Sequence, residues 1–140
     1  MTSPLEALAG PGRALRSEPP DAREFANHVR SAEVALRDAL HEDLSLETRF
    51  FLAYRAAYSF CLAALRYRGF RPVNRIIVFQ TLPHTLGLGP DVWRVLAKAH
   101  GVRNASEYEG ESRVETRLLH DLMDAALQVR QAVAKLPPLA

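Results

Sequence analysis

Five side chains that can form hydrogen bonds or ion pairs lie within nine residues of the chain: His100, Arg103, Asn104, Glu107 and Tyr108. If this stretch is helical, their spacing of i, i+3, i+4, i+7 and i+8 places all five on one face. Such a face is often simply solvated. Arg103 and Asn104 indicate something more specific, because a guanidinium fork beside an amide can hold a phosphate while donating to a nearby hydroxyl or base. This face is therefore the candidate site.

The segment from Trp93 to Lys135 resembles the C-terminal half of the HEPN domain (higher eukaryotes and prokaryotes nucleotide-binding). The family signature is an arginine, often followed by a polar residue such as asparagine, and then a histidine four to six residues further on. Arg103 and Asn104 match its start, whereas Tyr108 stands where the histidine would be. The resemblance implies an all-α, antiparallel four- to five-helix bundle. It also implies action on RNA or nucleotides, as in the metal-independent ribonucleases and toxin components of the family.

The tyrosine determines which chemistry to expect. In metal-independent RNA cleavage a base removes the 2′-hydroxyl proton and an acid protonates the leaving oxygen, and the resemblance implies that histidine moves these protons while arginine supplies charge. Tyrosine has a reference pKa near 10, so ionising Tyr108 at pH 7 costs roughly 4 kcal/mol. Three alternatives are open. His100 is the base, or Tyr108 is the acid in slow cleavage, or Arg103 and Asn104 bind RNA or a nucleotide without cutting it.

A second cationic segment precedes the candidate site. Four arginines, Arg66, Arg68, Arg71 and Arg75, occur within ten residues and are candidates for RNA binding. A solvated loop is the more frequent explanation of such a pattern. The chain has no zinc-type spacing of cysteine and histidine and no glycine-rich phosphate loop, so we expect neither a metal nor another cofactor.

The composition fits one globular domain of 140 residues, with a formal net charge of +2 that does not by itself indicate nucleic-acid binding. Cys61 is the only cysteine and lies in an apolar run, so a buried, unreactive thiol is expected. The sequence shows no signal-peptide pattern and no run of about 18 apolar residues. We therefore expect a cytoplasmic protein without membrane contact.

Apolar spacing predicts four long helices, over residues 22–41, 45–68, 90–108 and 112–136, and a short helix over residues 76–79. Asp21 and Ser45 are the predicted N-caps of the first two long helices, and Ser112 with Glu115 predicts a capping box for the last. Frequent proline and glycine in residues 1–20 indicate a flexible tail. Residues 21–140 then form the HEPN-like domain.

The second predicted helix is apolar around most of its girth, which indicates the centre of a bundle or a dimer interface. We expect a homodimer, an arrangement that the HEPN resemblance also implies. Two other functions are open. In the first, the chain is a non-catalytic interaction subunit whose partner is an antitoxin or a nucleotidyltransferase. In the second, it is a purely structural helical dimer.

Overall fold

The computed structural model describes residues 3–110 and 113–139, which are mostly helical. These residues form seven helices and one two-stranded antiparallel ribbon. The elements in chain order are α1 (Pro4–Ala7), β1 (Leu15–Ser17), α2 (Ala22–Ala39), α3 (Leu46–Tyr67), β2 (Phe70–Pro72), α4 (Arg75–Gln80), α5 (Leu82–Thr85), α6 (Pro90–Glu109) and α7 (Thr116–Ala134). The four long predicted helices are confirmed as α2, α3, α6 and α7, and the short one lies within α4. None of the described helices is long and apolar enough to cross a membrane.

The central helix is α3, which packs against α2, α7, α4 and α6. Much of its circumference is buried, including Phe50, Phe60 and Leu65. Cys61 is buried here as expected, and burial raises the pKa of its thiol. The apolar girth of α3 is thus covered within a single chain. The apolar circumference of α3 therefore no longer supports a homodimer, and the homodimer stays a prediction.

Local capping explains where several helices begin. The carboxylate of Asp21 accepts hydrogen bonds from two backbone N–H groups in the first turn of α2, at 2.8 and 3.0 Å. Ser45 caps α3 in the same way at 3.1 Å, so both predicted N-caps are confirmed. Asn74 caps α4, which explains why the β-favouring residues 76–79 are helical rather than extended.

The start of α7 differs from its prediction. At the end of α6, Gly110 has a φ of 70°, in the left-handed region that glycine adopts without strain. Residues 113–115 then continue outside any helix, and α7 begins only at Thr116. Glu115 has extended backbone and is itself the N-cap, without a side-chain capping bond, so it cannot serve as the third helical residue of a capping box. Ser112 lies outside the described residues.

The N-terminal segment is packed against the helices, in contrast to the flexible tail that its prolines and glycines indicate. Leu5 and Leu15 are buried in the same core as the long helices. Strand β1 pairs antiparallel with β2, with Leu15 opposite Pro72. Burial of two leucines and pairing with a distant strand offset the entropy lost when the segment is ordered. Turn-forming composition alone does not reveal such contacts.

An ion-pair cluster joins this segment to α3. Arg66 is 2% exposed, pairs with Glu24 at 3.1 Å and donates to three backbone carbonyl groups at 2.8 to 3.3 Å. Arg71 pairs with Glu18 and also with Glu24. Burial alone would raise the pKa of Glu24, but the hydrogen bonds that it accepts from His28, Arg71 and Arg66 outweigh burial and lower the pKa to about 2. The cluster therefore depends on ionised Glu24.

Candidate functional site

Three of the predicted site residues form a hydrogen-bonded chain on α6. Arg103 Nη1 donates to Asn104 Oδ1 at 3.3 Å, and Asn104 Nδ2 lies 3.2 Å from His100 Nε2. The second ring nitrogen of His100, Nδ1, lies 3.0 Å from the hydroxyl oxygen of Tyr54 on α3. The chain of contacts therefore runs from Arg103 across α6 to the central helix.

The direction of these hydrogen bonds follows from the arginine, because a guanidinium group can only donate. Arg103 occupies the oxygen of Asn104, so the amide nitrogen faces His100 and donates to Nε2. The proton of neutral His100 then lies on Nδ1 and is donated to Tyr54. Burial, followed by the positive charges of Arg103 and Arg75, lowers the pKa of His100. A neutral imidazole with both nitrogens engaged is poorly suited to accept a proton from a substrate.

Sequence reasoning did not include Tyr54 in the site. It belongs to the apolar stripe of α3 and is 2% exposed, so its position indicates the core. One feature of the sequence could have identified Tyr54, because a tyrosine in an apolar stripe is buried and a buried tyrosine hydroxyl generally requires a polar partner. Burial raises the pKa of this phenol, against the opposing charges of Arg75 and Arg103. The hydroxyl therefore stays protonated at neutral pH.

Beside this chain of contacts, a groove of about 500 Å³ runs along α3. One face of α3 supplies six lining residues at helical spacing over a length of about 16 Å, and α2, α4 and α6 supply the rest. The lining residues are Phe51, Tyr54, Arg55, Tyr58, Ser59 and Leu62 of α3, His28 and Ser31 of α2, Arg75 of α4, and Arg103 and Glu107 of α6. We call this cavity the α3 groove.

Three arginines make the α3 groove cationic. The guanidinium carbon of Arg75 lies 4.9 Å from the centre of the Tyr58 ring, and that of Arg103 lies 5.5 Å from the centre of the Tyr54 ring. The two rings are 6.5 Å apart, so cation–π contacts hold the two guanidinium groups above neighbouring turns of α3. The third, Arg55, is exposed. Within residues 3–110 and 113–139, neither Arg55 nor Arg75 forms an ion pair.

Glu107 is the one carboxylate among the described residues that line the groove. Its Oε1 atom lies 3.0 Å from Arg103 Nη2, and the Arg103 side chain remains 17% exposed. Part of the guanidinium group therefore faces the groove while its charge is partly neutralised. An anion that binds Arg103 must compete with Glu107 for it.

Tyr108 does not line the groove with Arg103. It is 80% exposed, and its position five residues after Arg103 rotates it by about 140° around the axis of α6. The prediction of a single shared face therefore holds for His100, Arg103, Asn104 and Glu107, which are joined by hydrogen bonds and an ion pair, whereas the described structure shows no hydrogen bond or ring contact from Tyr108 to these residues. The residue in the histidine position of the family signature is therefore not among the described residues that line the groove with Arg103.

Of the four arginines predicted to bind RNA, Arg75 alone lines the groove in the described part of the chain. Arg66 is buried and its donors are occupied, and Arg71 is paired with two glutamates. Arg68 donates to the backbone carbonyl of Thr85 at 2.9 and 3.1 Å. The contacts of these three arginines are made within the protein, where they fasten the N-terminal segment and α5 to the end of α3.

No group of three or more histidine, cysteine, aspartate or glutamate side chains in residues 3–110 and 113–139 is placed to hold a metal ion. Scans against models of known protein families, against curated proteins and against solved structures find no match for this chain. Its function must therefore be inferred from the chemistry of the groove.

Proposed function

We propose that this chain is an HEPN-like helical protein that binds RNA or a nucleotide in the α3 groove without cleaving it. The observation that carries the proposal is the excess of unpaired arginine. Arg55 and Arg75 have no carboxylate partner among the described residues, and Arg103 shares its charge with Glu107 alone. A planar guanidinium group matches the geometry of phosphate oxygens, and two of these groups are already oriented by aromatic rings.

The groove also provides surface for the uncharged parts of a nucleotide. Phe51 and Leu62 lie at the two ends of the α3 stripe, and each is partly exposed. Ser31 and Ser59 add hydroxyl groups that can hydrogen-bond to a ribose or a base. Stacking of bases on aromatic rings such as that of Phe51, combined with arginine contact to phosphates, is the usual basis of sequence-tolerant binding to single strands.

The HEPN-like part of the proposal is supported by Arg103 and Asn104, which lie on a long helix that packs against the central helix of a mainly helical protein. Binding without cleavage is supported by the proton-transfer groups. His100 is hydrogen-bonded through both ring nitrogens and has a pKa lowered by burial, and Tyr108 does not line the groove. Neither is placed to remove the 2′-hydroxyl proton.

Equilibrium binding to a fluorescent single-stranded RNA of about 10 nucleotides tests the proposal by anisotropy. Three phosphate contacts predict that log K falls with log salt concentration with a slope of about −2. Arg75→Gln and Arg103→Gln should each weaken binding about tenfold and reduce the magnitude of the slope by about 0.7. Arg117→Gln is the matched control, because Arg117 is 88% exposed on α7 and does not line the groove.

Equal affinity of the three variants and the unmodified protein would overturn the groove as the binding site. Adenosine monophosphate as competitor distinguishes a nucleotide site from an RNA site, since a nucleotide site is emptied by the monophosphate at comparable concentration. Incubation of bulk RNA with the protein and a chelator tests the absence of cleavage. We expect intact RNA, both with the unmodified protein and with Tyr108→His, which restores the family pattern at an exposed position.

A further inference from the structure

A second surface, formed mainly by α2 and α7, exposes large apolar side chains among arginines. Val34 is 42% exposed, Leu40 56% and Leu127 37%. They line two shallow cavities, one of about 410 Å³ between α2 and α3 and one of about 480 Å³ between α2 and α7. Both cavities include Arg30 and Val34, so they form one continuous region. We call this region the α2 surface.

Positive charge predominates on the α2 surface. Arg30, Arg37, Arg55 and Arg130 line it, against Glu33 and Asp38. Glu33 is already paired with Arg130 at 2.8 Å. Within the residues that the structure describes, Arg30 and Arg37 form no ion pair. The apolar side chains are therefore flanked by arginines whose charge is not neutralised.

We propose that the α2 surface docks an acidic amphipathic helix of a partner protein. Val34 on α2 and Leu40, the residue that ends it, line the same cavity and are separated by about 9 Å along the helix axis, close to the interval of about 10.5 Å between apolar residues seven apart on one face of a second helix. Leucine-like residues of that helix would cover Val34, Leu40 and Leu127. Aspartate or glutamate on its flanks would meet Arg30 and Arg37.

Two other occupants fit this surface less well. A second copy of the chain in a two-fold dimer would bring the same arginine-rich face against itself, and unpaired like charges oppose such contact. RNA would satisfy the arginines, but the apolar side chains that line the α2 surface in the described residues are aliphatic, whereas the α3 groove has the aromatic rings of Phe51 and Tyr58 on which bases can stack. An acidic helix alone satisfies both the apolar and the charged part of the surface. The α2 surface shares Arg55 and Ser31 with the α3 groove, but the inference rests on Val34, Leu40, Leu127, Arg30 and Arg37, which do not line that groove.

The test uses the full chain and a fluorescent synthetic peptide of about 18 residues, with leucine at i, i+3, i+7 and i+10 and glutamate on both flanks. Anisotropy should show saturable binding with a Kd of tens of micromolar, typical of a small interface. Arg37→Glu and Val34→Glu should each weaken it about tenfold or more. Lys98→Glu, an exposed position on α6, makes the same charge change as Arg37→Glu and should leave the affinity unchanged within about twofold.

Circular dichroism verifies that each variant is folded, which is expected because positions 34 and 37 are exposed. A peptide of the same composition in scrambled order separates helix docking from charge attraction. Equal binding of both peptides, or no binding at about 1 mM, overturns the proposal. Sedimentation gives a further decisive outcome. If the unmodified chain is a dimer that Val34→Glu converts to a monomer, the surface belongs to a second copy of this chain and the proposal is overturned. If Val34→Glu weakens RNA binding about tenfold instead, the surface belongs to RNA and the proposal is overturned.

Discussion

Replacing Glu107 by glutamine tests whether Arg103 binds a phosphate group or only contributes to the stability of the fold. Glu107 lies 3.0 Å from Arg103, and its side chain is 43% exposed, so the pair contributes about 0.5 kcal/mol to stability. A phosphate on the open edge of Arg103 would stand about 6 Å from the carboxylate, where repulsion costs about 1 kcal/mol after screening by salt. Glu107→Gln removes this repulsion and frees the guanidinium group. RNA affinity should therefore rise about fivefold while the melting temperature falls slightly.

The assay is anisotropy of labelled RNA at two salt concentrations, together with thermal unfolding of the same samples. Glu109→Gln is the matched control, because it removes the same charge two residues away. Glu109 pairs with exposed Arg113 at 3.4 Å and does not line the groove. Its substitution should change affinity by less than about twofold. An unchanged or weaker affinity for Glu107→Gln, or an equal gain in both variants, would show that Arg103 does not meet phosphate.

Three further predictions concern the ion-pair cluster of Arg66 and Glu24 and the histidine of the site, His100. Arg66→Leu should lower the free energy of unfolding by about 3 kcal/mol in chemical denaturation, because Glu24 and three carbonyl groups lose their donor. A loss below about 1 kcal/mol would contradict a stabilising role of the ion-pair cluster. The pKa of Glu24 is lowered to about 2, so its contribution to the free energy of unfolding is complete above about pH 4.5 and is lost as pH falls from there towards 2. Glu24→Gln should therefore lower the free energy of unfolding by about 2 kcal/mol at pH 7 and make it less dependent on pH in this acid range. An unchanged pH dependence in the variant would refute this. The lowered pKa of His100 means that this residue stabilises the fold above its unfolded value near 6.5 and that the stabilisation is lost as pH falls through the folded pKa. A ring titration by NMR with a midpoint at or above 6.5 would contradict the lowered pKa.

The long helices and the first part of the site could be predicted from sequence because both depend on local spacing. Apolar residues three and four apart determine which face of each helix is buried, and Asp21 and Ser45 cap the turns that follow them. The same periodicity placed Asn104 within hydrogen-bonding distance of His100, and Glu107 within ion-pairing distance of Arg103. Such contacts within one helix require no knowledge of the tertiary fold.

Contacts between distant residues were beyond this reasoning. Tyr54 joins the site from the centre of the core because α6 packs against α3, 46 residues away from His100 in sequence. Arg66 and Arg75 look alike in sequence, yet one is buried against Glu24 and the other faces the groove. Pairing of β1 with β2 likewise ordered a segment that composition indicated to be flexible. In each case the partner lies on another element, and its position depends on the packed structure.

The location of bound RNA tests the central claim most directly. Photo-crosslinking of the full chain to RNA containing 4-thiouridine, followed by mass spectrometry of the peptides, identifies the residues that contact a base. The account predicts crosslinks in the α3 groove, foremost at Tyr58, whose ring lies beneath Arg75, and their loss in Arg75→Gln. Crosslinks that spare Tyr58 and occur instead at the exposed Tyr108 would contradict it.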